Sequence, residues 1–359
     1  MTVQGNVENA GNRRIIFDGK TVADDSDCYV IAEIGNNHQG DVELGKRLID
    51  AALLCSCDAV KFQKRNNRLL FTKEMFDSPY NSENAFAATY GLHREAVELT
   101  IDQLKQLQEH AHNRGITFFA TAFDRSSADQ LFELNPPMYK IASADLTNTP
   151  LLRHVAEFGK PMIISTGGGT IEDVDRAYET VAAVNSQICI MQCTSSYPAK
   201  IEELNLRVIG TFRDRYPSSV IGYSGHDNGI AMPVVAYMLG ARVVEKHITL
   251  DRTMKGTDHV FSLTTDGLRK MVRDLRRTKI ALGDGDKRCY DSEVLPMRKM
   301  AKKLVAAHDL PVGHQLVPAD ILAKVPNDGL PPYELESLVG RRLRVALRED
   351  DNLSFEILE

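Results

Sequence analysis

Two short apolar runs end in a histidine: Gly222-Tyr223-Ser224-Gly225-His226 and Val243-Val244-Glu245-Lys246-His247. A third, Val30-Ile31-Ala32-Glu33-Ile34-Gly35, carries a carboxylate at its end. Two neutral imidazoles with carboxylates nearby suit a borderline divalent ion, Mn²⁺, Fe²⁺ or Zn²⁺, better than Mg²⁺. A lone histidine at a strand end is explained as well by a hydrogen bond to backbone; the paired placement argues for ligands. Lys61 and Lys140 end two further runs, with the hydroxyls of Thr121, Ser143, Ser165 and Ser195 at comparable positions. Such a set can hold a phosphate or a phosphorylated carboxylate through charge-assisted hydrogen bonds. Ion-paired structural lysines with hydroxyls as loop caps are the alternative. Gly167-Gly168-Gly169 lets backbone approach an anion closely, or simply makes a tight turn. His38 and His259 have weaker claims, and His110 and His112 read as surface residues of a helix.

For these groups to meet, strand ends must converge on one face. Eight strand patterns are legible: 29–33, 59–63, 116–123, 138–143, 161–166, 187–193, 219–224 and 242–248. Helical patterns alternate with them at 45–54, 101–114, 126–134, 151–158, 171–184, 205–216, 230–239 and 265–282. This count is that of an α/β protein built on a (β/α)8 TIM barrel, whose catalytic side chains sit at the carboxyl ends of the strands. A doubly wound sheet usually stops short of eight strands. Side chains two apart on a strand share a face, so Lys61 goes with Gln63 and Glu245 with His247. A lysine or glutamate facing a packed interior is costly unless it is paired or used.

Residues 1–27 read as a polar extension or edge hairpin and 28–283 as the barrel. The stretch 66–100, too long for an ordinary connection, reads equally as a lid or a packing excursion. Gly283-Asp284-Gly285-Asp286-Lys287-Arg288 has the character of a linker, taken as 284–297. Residues 298–359 read as a small β-rich domain, with β-like pieces at 304–307 and 343–347.

The chain has 359 residues, 43% hydrophobic and 26% charged, with a formal net charge of −6. That balance argues against a nucleic-acid partner, and no apolar run approaches the ~20 residues of a membrane span. The first twenty residues are polar, unlike a signal peptide. The six cysteines form no CxxC knuckle, and a reducing cytoplasm is the expected compartment.

Taken in order, the motifs resemble the sialic acid synthase (N-acetylneuraminate synthase-like) family. The matching stretches are Ile31–Gly40, Ala59–Gln63, Tyr139–Ser143, Ile164–Gly168, Gln192–Pro198, Ile221–His226, Val243–Asp251 and Lys255–His259. The tail, with Ala307-His308-Asp309-Leu310-Pro311-Val312-Gly313 and Leu338-Val339-Gly340-Arg341-Arg342, resembles that family's antifreeze-like (SAF) domain.

The resemblance implies an enzyme condensing phosphoenolpyruvate with an N-acylmannosamine-type sugar, or its 6-phosphate, and releasing phosphate by C–O cleavage. It implies Mn²⁺, with Mg²⁺ or Co²⁺ as substitutes, held by His226 and His247. Lys61, Thr121, Lys140, Ser143, Ser165, Ser195 and Ser224 would bind phosphoenolpyruvate. Gln63, Tyr197, Glu245 and Asp258 would bind the sugar, with Glu33 and Glu245 as acid/base groups. It further implies a homodimer in which swapped small domains cover each other's sites. Many bacterial members have an arginine in an Arg-Pro-Gly stretch of the small domain; here the segment is Lys324-Val325-Pro326-Asn327-Asp328-Gly329. The alternatives are a metal-dependent pyruvate aldolase, a Schiff-base aldolase acting through Lys140, and a non-catalytic carbohydrate-binding protein.

Overall fold

The alternation of apolar runs and amphipathic stretches produces alternating strands and helices. The computed structural model describes residues 13–359; the rest of the extension expected at 1–27 lies outside the described residues. An antiparallel hairpin comes first, β1 (Arg14–Phe17) and β2 (Lys20–Ala23). Eight strands follow: β3 (Tyr29–Glu33), β4 (Ala59–Lys64), β5 (Thr117–Ala122), β6 (Tyr139–Ile141), β7 (Met162–Ser165), β8 (Ile188–Cys193), β9 (Val220–Gly225) and β10 (Val243–His247). They pair in parallel, each with its sequence neighbour, and β10 closes the barrel against β3. The expected (β/α)8 barrel is therefore present.

Strand alternation sorts the barrel interior into an apolar floor and a polar top. Tyr29, Ile31, Ala59, Phe119, Met138, Ile163, Cys189, Met191, Val220 and Val243 form one buried cluster, joined by Ile15, Phe17 and Val22 of the hairpin. The hairpin thus packs its apolar face on the floor. One or two steps further along the same faces stand Glu33, Lys61, Thr121, Lys140, Ser165, Ser224, Glu245 and His247, all buried. The outward faces of the strands pack on the surrounding helices in a second, larger cluster. Helix ends follow local chemistry: Thr100 and Gln103 make a reciprocal capping box at the start of Ile101–Arg114, and Gly115 ends it in the left-handed region at φ 76°.

The long connection after β4 folds into short helices, Asn67–Leu70, Lys73–Asp77 and Tyr90–Ala96. The second compact unit is Gly283–Glu359. The segment expected as a linker contains a helix, Asp291–Met300. Beyond it, β11 (Lys303–Ala306) pairs antiparallel with β12 (Ile321–Lys324). The β-like piece expected at 343–347 is not a strand. Leu343 bridges Leu358 while Leu347 bridges Leu310, so the two ends take different partners and no ladder runs between them.

One buried ion pair holds the loop after β9. Lys246 lies between the inward-facing Glu245 and His247 and so points outward. Its Nζ donates to the Asp227 carbonyl at 2.5 Å and lies 3.1 Å from Asp227 Oδ1. That oxygen also accepts from the Tyr223 hydroxyl at 2.7 Å. Burial pushes the Lys246 amine down, with Asp227 opposing. Removing one partner strands the other charge, so Asp227→Leu should cost about 3–5 kcal/mol of barrel stability. Lys246→Met/Asp227→Leu, which removes both charges, should cost far less; chemical denaturation of the two variants checks this.

Candidate active site at the carboxyl end of the barrel

The polar top of the barrel opens into a cavity of about 500 Å³. Every residue singled out from the sequence as catalytic, substrate-binding or metal-binding lines it: Glu33, Lys61, Gln63, Thr121, Lys140, Ser143, Ser165, Ser195, Tyr197, Ser224, His226, Glu245, His247 and Asp258. Parallel register explains the convergence. Glu33 of β3 is level with Lys61 of β4 and His247 of β10, while Thr121 of β5 is level with Gln63 and Lys140.

Four buried ionisable groups occupy the centre. Lys61 Nζ lies 3.2 Å from Glu33 Oε2 and 3.4 Å from Glu245 Oε2, and it donates to Thr121 Oγ1 at 2.9 Å. Lys140 Nζ donates to Ser165 Oγ at 2.6 Å and lies 3.8 Å from Glu245 Oε1. Glu245 Oε1 also accepts from Ser224 Oγ at 3.0 Å, and Glu33 Oε1 accepts from Gln63 Nε2 at 2.7 Å. The second oxygens of both carboxylates, although near Lys61, lack a partner in hydrogen-bonding geometry.

These surroundings split the two carboxylates. Burial raises the Glu33 carboxyl well above the ordinary range; Lys61 opposes the rise and Glu245 adds to it. Burial also acts to raise Glu245, but Lys140 and Lys61 outweigh it and hold that group low. Lys61 stays cationic because Glu245 and Glu33 overcome the cost of its burial. Lys140 is pushed down by burial, with Glu245 opposing. Such opposed shifts mark an acid/base pair with distinct duties.

A second feature crowds two hydroxyls against backbone. Gly167 N–H donates to Ser143 Oγ at 2.9 Å. A Cβ at Gly167 would lie 2.2 Å from Ser195 Oγ and 2.9 Å from Ser143 Oγ, so only glycine leaves the two hydroxyls their place. Of the triple glycine, this one carries the close approach; Gly168 takes the left-handed turn at φ 76°.

The histidine pair stands at the carboxyl ends of β9 and β10. The rings of His226 and His247 lie 5.4 Å apart, flanked by Tyr197 and Phe261. His226 Nδ1 faces the Thr194 carbonyl at 2.9 Å, which leaves Nε2 for another partner. Burial disfavours a proton on this ring, but Cys193 and the Thr194 carbonyl favour one more, so metal and proton compete there. Burial keeps His247 neutral; its Nδ1 is buried without a hydrogen-bond partner, 3.8 Å from Asp258 Oδ2. Among the described residues no group of three or more His, Cys, Asp or Glu side chains forms a ready-made metal cage. Two imidazoles with an orphaned nitrogen and an adjacent carboxylate nonetheless fit a divalent ion whose other positions are left for substrate or water.

The cavity also contains Asn36, Arg65, Tyr90, Arg94, Phe123 and Thr257, none of which was picked out as a site residue from the sequence. Arg65 had a legible signal, since it continues the alternation Lys61, Gln63 past the strand end. Tyr90 and Arg94 are four apart on one short helix and so share a face, but that helix carries no sequence pattern strong enough to predict it.

Comparison with known proteins agrees with this geometry. The NeuB family profile matches residues 48–287, and the SAF domain profile matches residues 303–358. The chain belongs to the NeuB family. It is 40% identical to the N-acetylneuraminate-9-phosphate synthase of Mus musculus over 95% of both chains. It is 35% identical to the N,N'-diacetyllegionaminic acid synthase of Legionella pneumophila, covering 97% of this chain and 99% of that one. Among solved structures, the N-acetylneuraminic acid synthetase of Leptospira borgpetersenii, a citrate complex, superposes with a TM-score of 0.69. That match is 31% identical and covers 80% of this chain and 95% of the other. Membership in the NeuB family weighs against the aldolase and binding-protein alternatives. No helix among the described residues is long and apolar enough to cross a membrane.

Proposed function

We propose that this NeuB-family enzyme is a nonulosonic acid synthase that joins phosphoenolpyruvate to an N-acylmannosamine-type sugar and releases phosphate by C–O cleavage. The observation that carries the reading is the cavity's division of labour. Lys61, Lys140 and the hydroxyls of Thr121, Ser143, Ser165, Ser195 and Ser224 suit a doubly anionic substrate. Gln63, Tyr197 and Asp258 line the same cavity and suit a hydroxylated one. His226 and His247 would hold a divalent ion, Mn²⁺ by preference with Mg²⁺ or Co²⁺ as substitutes, which when bound supplies Lewis-acid polarisation of an aldehyde.

The chain's own groups account for the protons. C3 of phosphoenolpyruvate bonds to the sugar's aldehyde carbon, and the aldehyde oxygen becomes a hydroxyl. Glu33, which lines the cavity and has a raised carboxyl, gives that proton. As a carboxylate it then takes a proton from the water that adds to C2. Glu245 remains ionised and balances both lysines while negative charge moves between substrate and leaving phosphate. Collapse of the tetrahedral adduct breaks the C2–O bond to phosphate, the C2 hydroxyl becomes the keto oxygen, its proton leaves on the phosphate, and the lysines hold the departing anion.

The enzyme resembles a family of swapped dimers, and the helix Asp291–Met300 supports that assembly through its exposed apolar residues Val294, Leu295 and Met300. Light scattering of the full chain reads this directly; a monomer rules it out. All six cysteines are unpaired, which supports a reducing, cytoplasmic setting.

The function is tested by sugar-dependent phosphate release from phosphoenolpyruvate across N-acetylmannosamine, its 6-phosphate and diamino-trideoxy sugars. Turnover with at least one, and none with pyruvate in place of phosphoenolpyruvate, is expected; pyruvate-dependent aldol formation would contradict it. Glu33→Gln keeps the hydrogen-bonding shape without a transferable proton and should lower kcat by about 10²–10⁴-fold, with little change in the KM for phosphoenolpyruvate. His226→Ala and His247→Ala should each weaken Mn²⁺ binding by about 100-fold or more in calorimetric titration. Undiminished binding in both would remove the metal from this site.

A further inference from the structure

The cavity holds two cations that the reaction scheme above does not use, Arg65 and Arg94. Arg65 lies four residues beyond Lys61, on the same alternating face of β4 and its continuation, and is 3% exposed. Its guanidinium stacks on the Phe123 ring at 4.1 Å, donates to Asn36 Oδ1 at 3.4 Å and pairs with the Gln63 side-chain oxygen. The carboxylate nearest it, Glu98, is 3.9 Å away. Glu98 is already engaged, accepting at 2.8 Å from Lys64 Nζ and at 3.0 Å from the Arg65 backbone N–H. Arg94 approaches from the helix Tyr90–Ala96. Its Nε is buried without a hydrogen-bond partner, and among the described residues no carboxylate lies within ion-pair distance of it. Asp258 shares the cavity; its carboxylate lies 3.8 Å from His247 and, after Glu98, is the main negative charge acting on Arg65, while Glu98 is shared with Lys64. This wall therefore carries more positive charge than its own carboxylates neutralise.

A buried guanidinium with spare donors is the group suited to bidentate capture of phosphate. The scheme already assigns phosphoenolpyruvate to Lys61 and Lys140, deeper in the barrel. Adding a three-carbon unit at the aldehyde raises every sugar carbon number by three, so C6 of the sugar becomes C9 of the product. A sugar whose aldehyde sits beside Glu33 extends its far end away from the barrel floor, in the direction in which β4 passes from Lys61 to Arg65.

We propose that Arg65 and Arg94 form a second anion site that binds the terminal phosphate of a 6-phosphorylated N-acylmannosamine. The assignment rests on the synthase reading above and narrows it to the phosphorylated sugar.

The test is the ratio of kcat/KM for N-acetylmannosamine 6-phosphate to that for N-acetylmannosamine. The native enzyme should favour the phosphorylated sugar. Arg94→Ala should lower the ratio by about 10–100-fold, through the KM for the sugar phosphate rather than the KM for phosphoenolpyruvate. Arg94→Lys, which keeps the charge but not the fork, should fall between. Because Arg65 is stacked and buried, Arg65→Lys is its milder variant and should lower the ratio in the same direction. A native preference for the unphosphorylated sugar, or an unaltered ratio in both the Arg94→Ala and Arg65→Lys enzymes, overturns the assignment and leaves the synthase reading standing. Absence of turnover with both of these sugars overturns the assignment; the synthase reading falls with it only if the diamino-trideoxy sugars give no turnover either.

Discussion

The structure turns on the ion pairing of Lys61 and Lys140 with Glu33 and Glu245 inside a barrel. Each buried charge alone would cost several kcal/mol. Together they are tolerable only if four strands keep their register to within a fraction of a residue. A slip of one position would turn a lysine outward into the helix layer and a valine or isoleucine inward. The apolar floor beneath, from Tyr29 round to Val243 and backed by the β1–β2 hairpin, works against such a slip because it fits the same alternation. The site and the core are thus two storeys of one pattern.

The same cluster explains how two chemically identical carboxylates acquire different proton affinities. Glu245 contacts both lysines and the Ser224 hydroxyl, so its charge is compensated on several sides. Glu33 has one lysine, one amide and a neighbouring like charge. An arriving anionic substrate competes for the lysines, so the ligand-free pairing is also the state that substrate must displace. That competition is a reason for the lysines to have carboxylate partners rather than none. It offsets the cost of burying them and lets an anion exchange for an existing ion pair instead of facing bare charge.

Much of this was legible in the chain. Lys61, Glu245 and His247 announce themselves because a charged or imidazole group inside an apolar run has few places to go except a strand end that is used. The barrel followed from counting runs. What escaped the sequence has physical reasons. Arg94 and Tyr90 sit on a short helix within a connection whose residues lack sustained periodicity, so only the three-dimensional path brings them to the cavity. The helix Asp291–Met300 was hidden by the turn-rich stretch before it and by Pro296 within it. Leu343 to Leu347 alternates like a strand, but its two ends are claimed by different partners.

The central claim is that the lysine and hydroxyl cluster holds phosphoenolpyruvate while its C2–O bond breaks. Phosphoenolpyruvate carrying ¹⁸O in the bridging position tests it directly, with mass spectrometry of both products after turnover with the preferred sugar. The account predicts that the label leaves with inorganic phosphate and that the new keto oxygen comes from water. Label retained in the sugar acid would mean P–O cleavage and would contradict it.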